Sequence, residues 1–288
     1  MWALVFNLRR PLFSVREVRR ALLLAFDTEW INRVLFRNRY LPITSYYPNS
    51  ELSATGLPSS DELLLLDPFR DQLPQEIFTT PIDLPHNDGR GRKGQRTLLL
   101  QAKHLLQNAG WYVEQDVLTN AQGTQFKFEI LLGDPSEERI ALAFKQSLRR
   151  LGIHAQVRTV DQAQYHERLT NFDFDMITVR WYSSLSPGNE QLYYFGSQAA
   201  DTPGSRNYPG IQSPVVDSLA QSLSESEQRT DLVTTVRALD RVLMAGYYSI
   251  PLFYLPHDMV AFSSLLRLPT TIPLYGPVLE TWWTTDHE

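Results

Sequence analysis

Between residues 126 and 181 the chain switches repeatedly between two hydrophobic periods, and this constrains its fold more than anything else in it. Phe126, Phe128, Ile130 and Leu132 recur at every second position, as in a strand. Ile140, Phe144, Leu148 and Leu151 follow at helical spacing and end at Gly152. Residues 153–160 form a second predicted strand, 161–169 a short helix, and 173–181 a third strand. Asp134-Pro135-Ser136-Glu137 opens the longer helix with a capping Asp, a Pro at the first helical position and a Glu three residues after the cap. An order of strand, helix, strand, helix, strand implies parallel pairing through right-handed crossovers, hence an α/β fold. Ligands of such sheets lie beyond the carboxyl ends of the strands. The third strand delivers Arg180, Trp181 and Tyr182 to that end, into the loop 183–190, the first candidate for a functional surface.

The flanking segments are less regular. Residues 2–7 read as a short strand, and Ser14 is placed to cap a helix running to about residue 36. Residues 38–96 are turn-rich, with Pro at 42, 48, 58, 68, 74, 81 and 85 and one short helix expected near 59–66. Leu98, Leu99, Ala102, Leu105, Leu106 and Ala109 mark a helix that Gly110 can close at positive φ. Residues 214–243 read as helical, 250–255 as an apolar strand, and 258–283 as short β segments interrupted by Pro269, Pro273 and Pro277.

Composition excludes several classes. With 288 residues, 43% apolar and 20% charged, the chain can bury a sizeable core of one large domain or about two ordinary ones. It has no Cys, which removes disulfide scaffolds, Cys-ligated zinc and thiol nucleophiles. No apolar run approaches the roughly 18 residues of a membrane span. The net charge of −5 conceals an asymmetry: residues 1–40 carry eight Arg against Glu17, Asp27 and Glu29. A nucleic-acid face is one reading of that segment. A solvated amphipathic helix face is favoured, because Arg outnumbers Lys 23 to 4 along the whole chain.

The search for catalytic chemistry returns little. The Gly-rich segment 87–94 lacks the Gly-Lys-Ser/Thr ending of a phosphate-binding loop. His166-Glu167 begins like a zinc-protease motif, but Thr170 stands where the second His is required. Asp173 and Asp175 could form a carboxylate pair for a hydrolase. They lie at the amino end of their strand, remote from the ligand end, so solvation or capping is the favoured reading. No nucleophile elbow and no dinucleotide fingerprint is present. No catalytic residue, metal or cofactor is assigned, and a binding role is favoured over catalysis.

Several stretches then resemble a known family. They are Phe6-Asn7, Arg10-Pro11, Val15 through Leu22, and Ala25-Phe26-Asp27; then Ala102-Lys103 with Leu105-Leu106 and Ala109-Gly110-Trp111. Further along come Leu148 with Leu151-Gly152-Ile153, Phe172 through Met176, Asn207 with Pro214 and Asp217, and Ile250-Pro251-Leu252. Taken in order they resemble the family 5 solute-binding proteins, extracytoplasmic receptors of peptide ABC importers. The segments 45–52, 185–191 and 203–207 resemble the Yej-type branch, associated with uptake of oligopeptides and microcin C-like peptide antibiotics.

The resemblance implies a type II periplasmic-binding-protein fold, two lobes closing over a ligand by hinge motion. The chain corresponds to the C-terminal half. Residues 1–7 are expected to be a hinge strand of an incomplete first lobe, 8–248 the C-terminal ligand-binding lobe, and 249–288 a return segment. The implied partners are a peptide or peptide-like ligand and ABC permease subunits, with no nucleic acid; the whole protein is expected to be a periplasmic monomer whose signal peptide lies outside this chain. Relatives that bind peptides carry roughly Gly-Trp-x-x-Asp after the third strand, the Asp pairing with the ligand's α-ammonium. Here Trp181 matches the Trp, Arg180 replaces the Gly, and Ser184 stands where the Asp is expected. The implied ligand contacts are Arg180 with a carboxylate, Trp181 and Tyr182 against side chains, and Tyr46, Ser184, Asn189 and Asn207 through hydrogen bonds. A carboxylate hydrolase using Asp173 and Asp175, and a truncated product without function of its own, remain alternatives.

Overall fold

The computed structural model describes residues 1–82, 91–273 and 276–284, and the chain divides into two units, Met1–Tyr254 and Leu255–Glu288. The first begins with strand β1 (Trp2–Phe6), followed by helices α1 (Arg16–Ala25) and α2 (Thr28–Leu35). After β2 (Leu41–Pro42) come α3 (Ser60–Leu66), α4 (Glu76–Thr79) and α5 (Arg92–Asn108), then the hairpin β3 (Trp111–Glu114) and β4 (Val117–Asn120). The regular run follows as β5 (Lys127–Leu132), α6 (Glu138–Arg149), β6 (His154–Thr159), α7 (Gln162–Thr170) and β7 (Met176–Arg180). Helices α8 (Glu190–Phe195), α9 (Ser197–Ala200), α10 (Pro214–Ser224) and α11 (Arg229–Ala245) lead to β8 (Ser249–Pro251) and β9 (Phe253–Tyr254). The second unit holds β10 (Leu266–Arg267) paired antiparallel with β11 (Trp283–Thr284).

One five-stranded sheet, ordered β6-β5-β7-β1-β8, organises the first unit. β5 pairs parallel with both β6 and β7, as the alternating pattern requires, while β1 runs antiparallel between β7 and β8. Side chains alternate between two cores. Leu4 and Phe6 of β1, Phe128, Ile130 and Leu132 of β5, and Met176 of β7 face the core built with α1, α5 and α6. Ala3 and Val5 of β1, Leu131 of β5, and Ile177 and Val179 of β7 face the core built with α10 and α11. Helices on both faces explain why these strands are apolar nearly throughout.

Four expectations are corrected. The helix expected over 14–36 is two helices, because the Asp27 carboxylate accepts the Trp30 N–H (3.0 Å) and caps α2; Ser14 caps nothing. The helix expected over 214–243 breaks between Ser224 and Arg229. The third strand starts at Met176, so Asp173 and Asp175 precede it. The arginine-rich start is not a solvated face. Arg19 is buried and donates to the carbonyls of Phe13 (2.7 Å), Ser14 (2.9 Å) and Gly246 (2.8 Å). Arg9 donates to the carbonyls of Tyr208 and Asn207 (both 3.1 Å), and Arg16 to that of Ala245 (2.6 Å). Arg33, Arg37 and Arg39 are the exposed members. Residues 87–90 of the Gly-rich segment 87–94 lie outside the described residues.

Helix α11 orders the turn-rich segment. The buried Asp240 carboxylate accepts from the Ser45 hydroxyl (2.7 Å) and the backbone N–H groups of Tyr46 (2.8 Å) and Ala54 (2.9 Å). Its neighbour Arg241, also buried, pairs with Glu62 and donates to the carbonyls of Thr55 (2.8 Å), Gly56 (2.7 Å) and Leu57 (3.0 Å). Backbone groups that a loop would otherwise leave to water are thereby satisfied by two adjacent side chains.

Candidate functional site

The carboxyl ends of β5, β6 and β7 meet at one edge of the sheet, and β1 begins there, because Trp2 pairs with Arg180. A cavity of about 280 Å³ opens at this edge. Its walls are Gly133, Asp134 and Glu137 after β5, Gln162 and Tyr165 of α7, Thr178 to Arg180 of β7, and Tyr208. Gly133 is needed for close approach, since a Cβ there would lie 2.7 Å from the Tyr165 ring. Tyr165 donates its hydroxyl to the Thr178 carbonyl (2.5 Å), and Gln162 donates its side-chain N–H to the Gly133 carbonyl (2.5 Å), so these walls are braced.

Glu137 is the unusual group of this site. It is 8% exposed. One carboxylate oxygen accepts the Trp2 indole N–H (3.1 Å) and the other the Thr178 hydroxyl. The Arg180 guanidinium stands 4.0 Å away, over the Trp2 ring at 4.4 Å. Burial pushes the Glu137 carboxyl above its ordinary value, although Thr178, Arg180 and Trp2 oppose that rise. The exposed Asp134 is held below the usual carboxylate value by hydrogen bonding to Ser136.

The residues expected from sequence fall into three groups. Arg180 lines the cavity with its side chain half exposed. Tyr182 is 73% exposed, and Ser184 and Asn189 are also exposed on the loop that follows; the Ser184 hydroxyl accepts from the Ser186 N–H (3.1 Å). Trp181 and Tyr46 come together in the core. Trp181 is buried among Tyr46, Phe195 and Tyr208 at centroid distances of 5.9, 5.7 and 6.2 Å, and its indole N–H donates to the Arg206 carbonyl (3.3 Å). Tyr46 shares a hydrogen bond with the Ser249 hydroxyl (3.1 Å), and burial raises its phenol well above the ordinary value. Tyr46 lines a separate cavity of about 130 Å³ beside Met244, Tyr247 and Ser249. Asn207 is fully buried. Its amide N–H groups donate to the carbonyls of Gly196 and Ile211 (both 2.9 Å), and its oxygen accepts from the N–H groups of Gly210 (3.0 Å) and Ile211 (2.8 Å). That exhausts the side chain's hydrogen-bonding capacity, which ties the loop 196–211 together.

The sequence reading missed Trp2, Glu137 and Tyr208. The signal for Glu137 was present but was absorbed by its place in the helix start. Asp173 and Asp175 lie at the opposite end of β7, where Arg10 bridges them at 3.0 and 3.2 Å. No cluster of His, Asp and Glu able to hold a metal occurs among the described residues, and no described helix is long and apolar enough to cross a membrane.

A mixed sheet covered on both faces, with parallel strands ending at one edge, is the fold of the type II periplasmic binding proteins. The oligopeptide-binding protein AppA from Bacillus subtilis, solved with a nonapeptide, superposes with a TM-score of 0.68 at 18% identity, over 99% of this chain and 50% of that one. Residues 1–203 match the model of the bacterial extracellular solute-binding proteins, family 5. The chain belongs to that family. It is 42% identical over 99% of its length to a putative binding protein of Brucella suis, and 40% identical over 99% to a probable peptide-binding protein, YejA, of Agrobacterium fabrum. It spans 46% of each of these relatives.

Proposed function

We propose that these residues form the C-terminal part of the substrate-binding component of an ABC importer, which captures oligopeptides or peptide-like solutes in the periplasm and hands them to the permease. The observation that carries the reading is the cavity at the strand ends, with an arginine at its rim. A relative named as a peptide-binding protein and a structural neighbour solved with a nonapeptide support it. Arg180 takes a ligand carboxylate, for which a guanidinium provides two parallel donors. Tyr182, Ser184 and Asn189 form the adjoining wall, while Trp181, Tyr46 and Asn207 hold that wall in place from within. Uptake of peptide antibiotics of the microcin C type and a monomeric state belong to the same proposal. So does the division into a hinge strand 1–7, a lobe 8–248 and a return segment 249–288. β8, the outer strand beside β1, is then the edge through which the sheet continues toward the rest of the receptor.

The test is peptide affinity of the full-length receptor. Arg180→Ala and Tyr182→Ala are expected to weaken binding of a free-carboxylate tripeptide, Arg180→Ala by about tenfold or more. Amidation of the peptide's carboxyl terminus is expected to abolish the effect of Arg180→Ala. Unchanged affinity in both variants removes the site assignment.

A further inference from the structure

Glu137 has a charge that nothing in the site neutralises at hydrogen-bonding distance. Its two hydrogen bonds come from neutral donors, the Trp2 indole and the Thr178 hydroxyl, one on each oxygen. A carboxylate has about four acceptor positions, so each oxygen can take another donor. The facing cation, Arg180, stops at 4.0 Å and sits instead over the Trp2 ring. A buried carboxylate left in this state is costly unless a cation completes it. Its position keeps it in the cavity. Asp134 caps the turn, Pro135 opens it, and Glu137 directly precedes α6, where the helix's first N–H groups favour negative charge. Tyr165 and Tyr208 line the same cavity.

We propose that Glu137 is the anionic seat for a cationic nitrogen of the ligand, an ammonium that enters the sheet-end cavity and completes the carboxylate's unused acceptor positions. The assignment rests on the reading of this cavity as a ligand site. The ammonium can come from a peptide's amino terminus or from a lysine side chain. With Glu137 holding the cation and Arg180 the anion at the rim, the site favours ligands that carry both charges over neutral ones.

Glu137→Gln is the informative variant. A glutamine can still accept from Trp2 through its oxygen and donate to Thr178 through its nitrogen, so it removes the charge and keeps the ties between β1, β7 and α6. Titration calorimetry of the full-length receptor would use trialanine, N-acetyl-trialanine and N-acetyl-Ala-Lys-Ala. The wild type is expected to bind at least one of the two cationic peptides about tenfold or more tighter than N-acetyl-trialanine. The one preferred identifies the source of the nitrogen. Glu137→Gln is expected to erase that preference and leave N-acetyl-trialanine binding unchanged, while Glu137→Asp, which keeps the charge should the glutamine variant fail to fold, retains part of it. A wild type without the preference, or a Glu137→Gln protein that keeps it, overturns the assignment and leaves the peptide reading standing. A folded wild type that binds none of the three overturns the peptide reading, and the assignment with it.

Discussion

Among single residues, Asp240 makes the strongest pH prediction. Burial lifts its carboxyl from 3.8 to about 6, against hydrogen bonds from Ala54, Ser45 and Tyr46 that pull the other way. The folded state therefore holds this proton more tightly than the unfolded chain does. Its contribution to stability is fully present below about pH 4 and is lost as pH rises through about 6. The gap between 3.8 and about 6 corresponds to about 3 kcal/mol. Asp240→Asn places an amide N–H against a backbone N–H of Tyr46 or Ala54 and is destabilising by about 1–3 kcal/mol from that conflict alone. Urea unfolding at pH 4 and pH 7.5 should show the wild type's advantage over Asp240→Asn shrinking by about 2 kcal/mol across that range. A constant difference would mean that Asp240 does not titrate there. Site chemistry was only partly legible at this scale. The exposed Arg180 and Tyr182 follow from strand direction alone. The inward orientation of Asn207 and Trp181 depends on loop contacts, such as those to Gly196 and Ile211, that no periodicity encodes.

Secondary structure was most legible where local signals agree. The run from β5 to β7 was readable because period-two and period-3.6 patterns alternate cleanly and Asp134 and Asp161 each accept a capping N–H. The break between α1 and α2 was hidden, since the apolar pattern continues through Ala25 and Phe26 into Ile31, and a single Asp27 cap decides it. The β3–β4 hairpin was missed because its turn uses Gln115 and Asp116 at positive φ, residues that rarely announce such a turn. Gly152 links this hairpin to the sheet. Its φ is +78°, its carbonyl accepts the Leu118 N–H (2.8 Å), and a Cβ would lie 2.8 Å from that same nitrogen. Gly110 also has positive φ, but a Cβ there meets nothing within 4 Å. Gly110→Ala should therefore cost about 1 kcal/mol, the backbone penalty alone. Gly152→Ala should cost about 2–4 kcal/mol, because the clash adds to it. Denaturant midpoints of the two variants compare them directly, and equal losses would show that the hairpin yields freely at this contact.

For the whole molecule, the order of weak motifs carried more than any one of them. They extend from Phe6 to Leu252, and the two hydrophobic cores draw on residues over the same span, reaching no further than Phe253. The stretches that resemble the family are thus the ones that build the sheet and its helical layers. Residues 255–284 have a different character. Met259 and Leu279 are 77% and 69% exposed, and the strands there, β10 and β11, are only two residues long. Short strands with open apolar side chains gain little from burial, so this unit contributes little to the folding cooperativity of the sheet. A chain ending at Tyr254 is accordingly expected to unfold in a single transition at nearly the denaturant midpoint of the 288-residue chain. Its m-value should fall only in proportion to the surface removed. Loss of the single transition would mean that the sheet's cores need the segment after Tyr254.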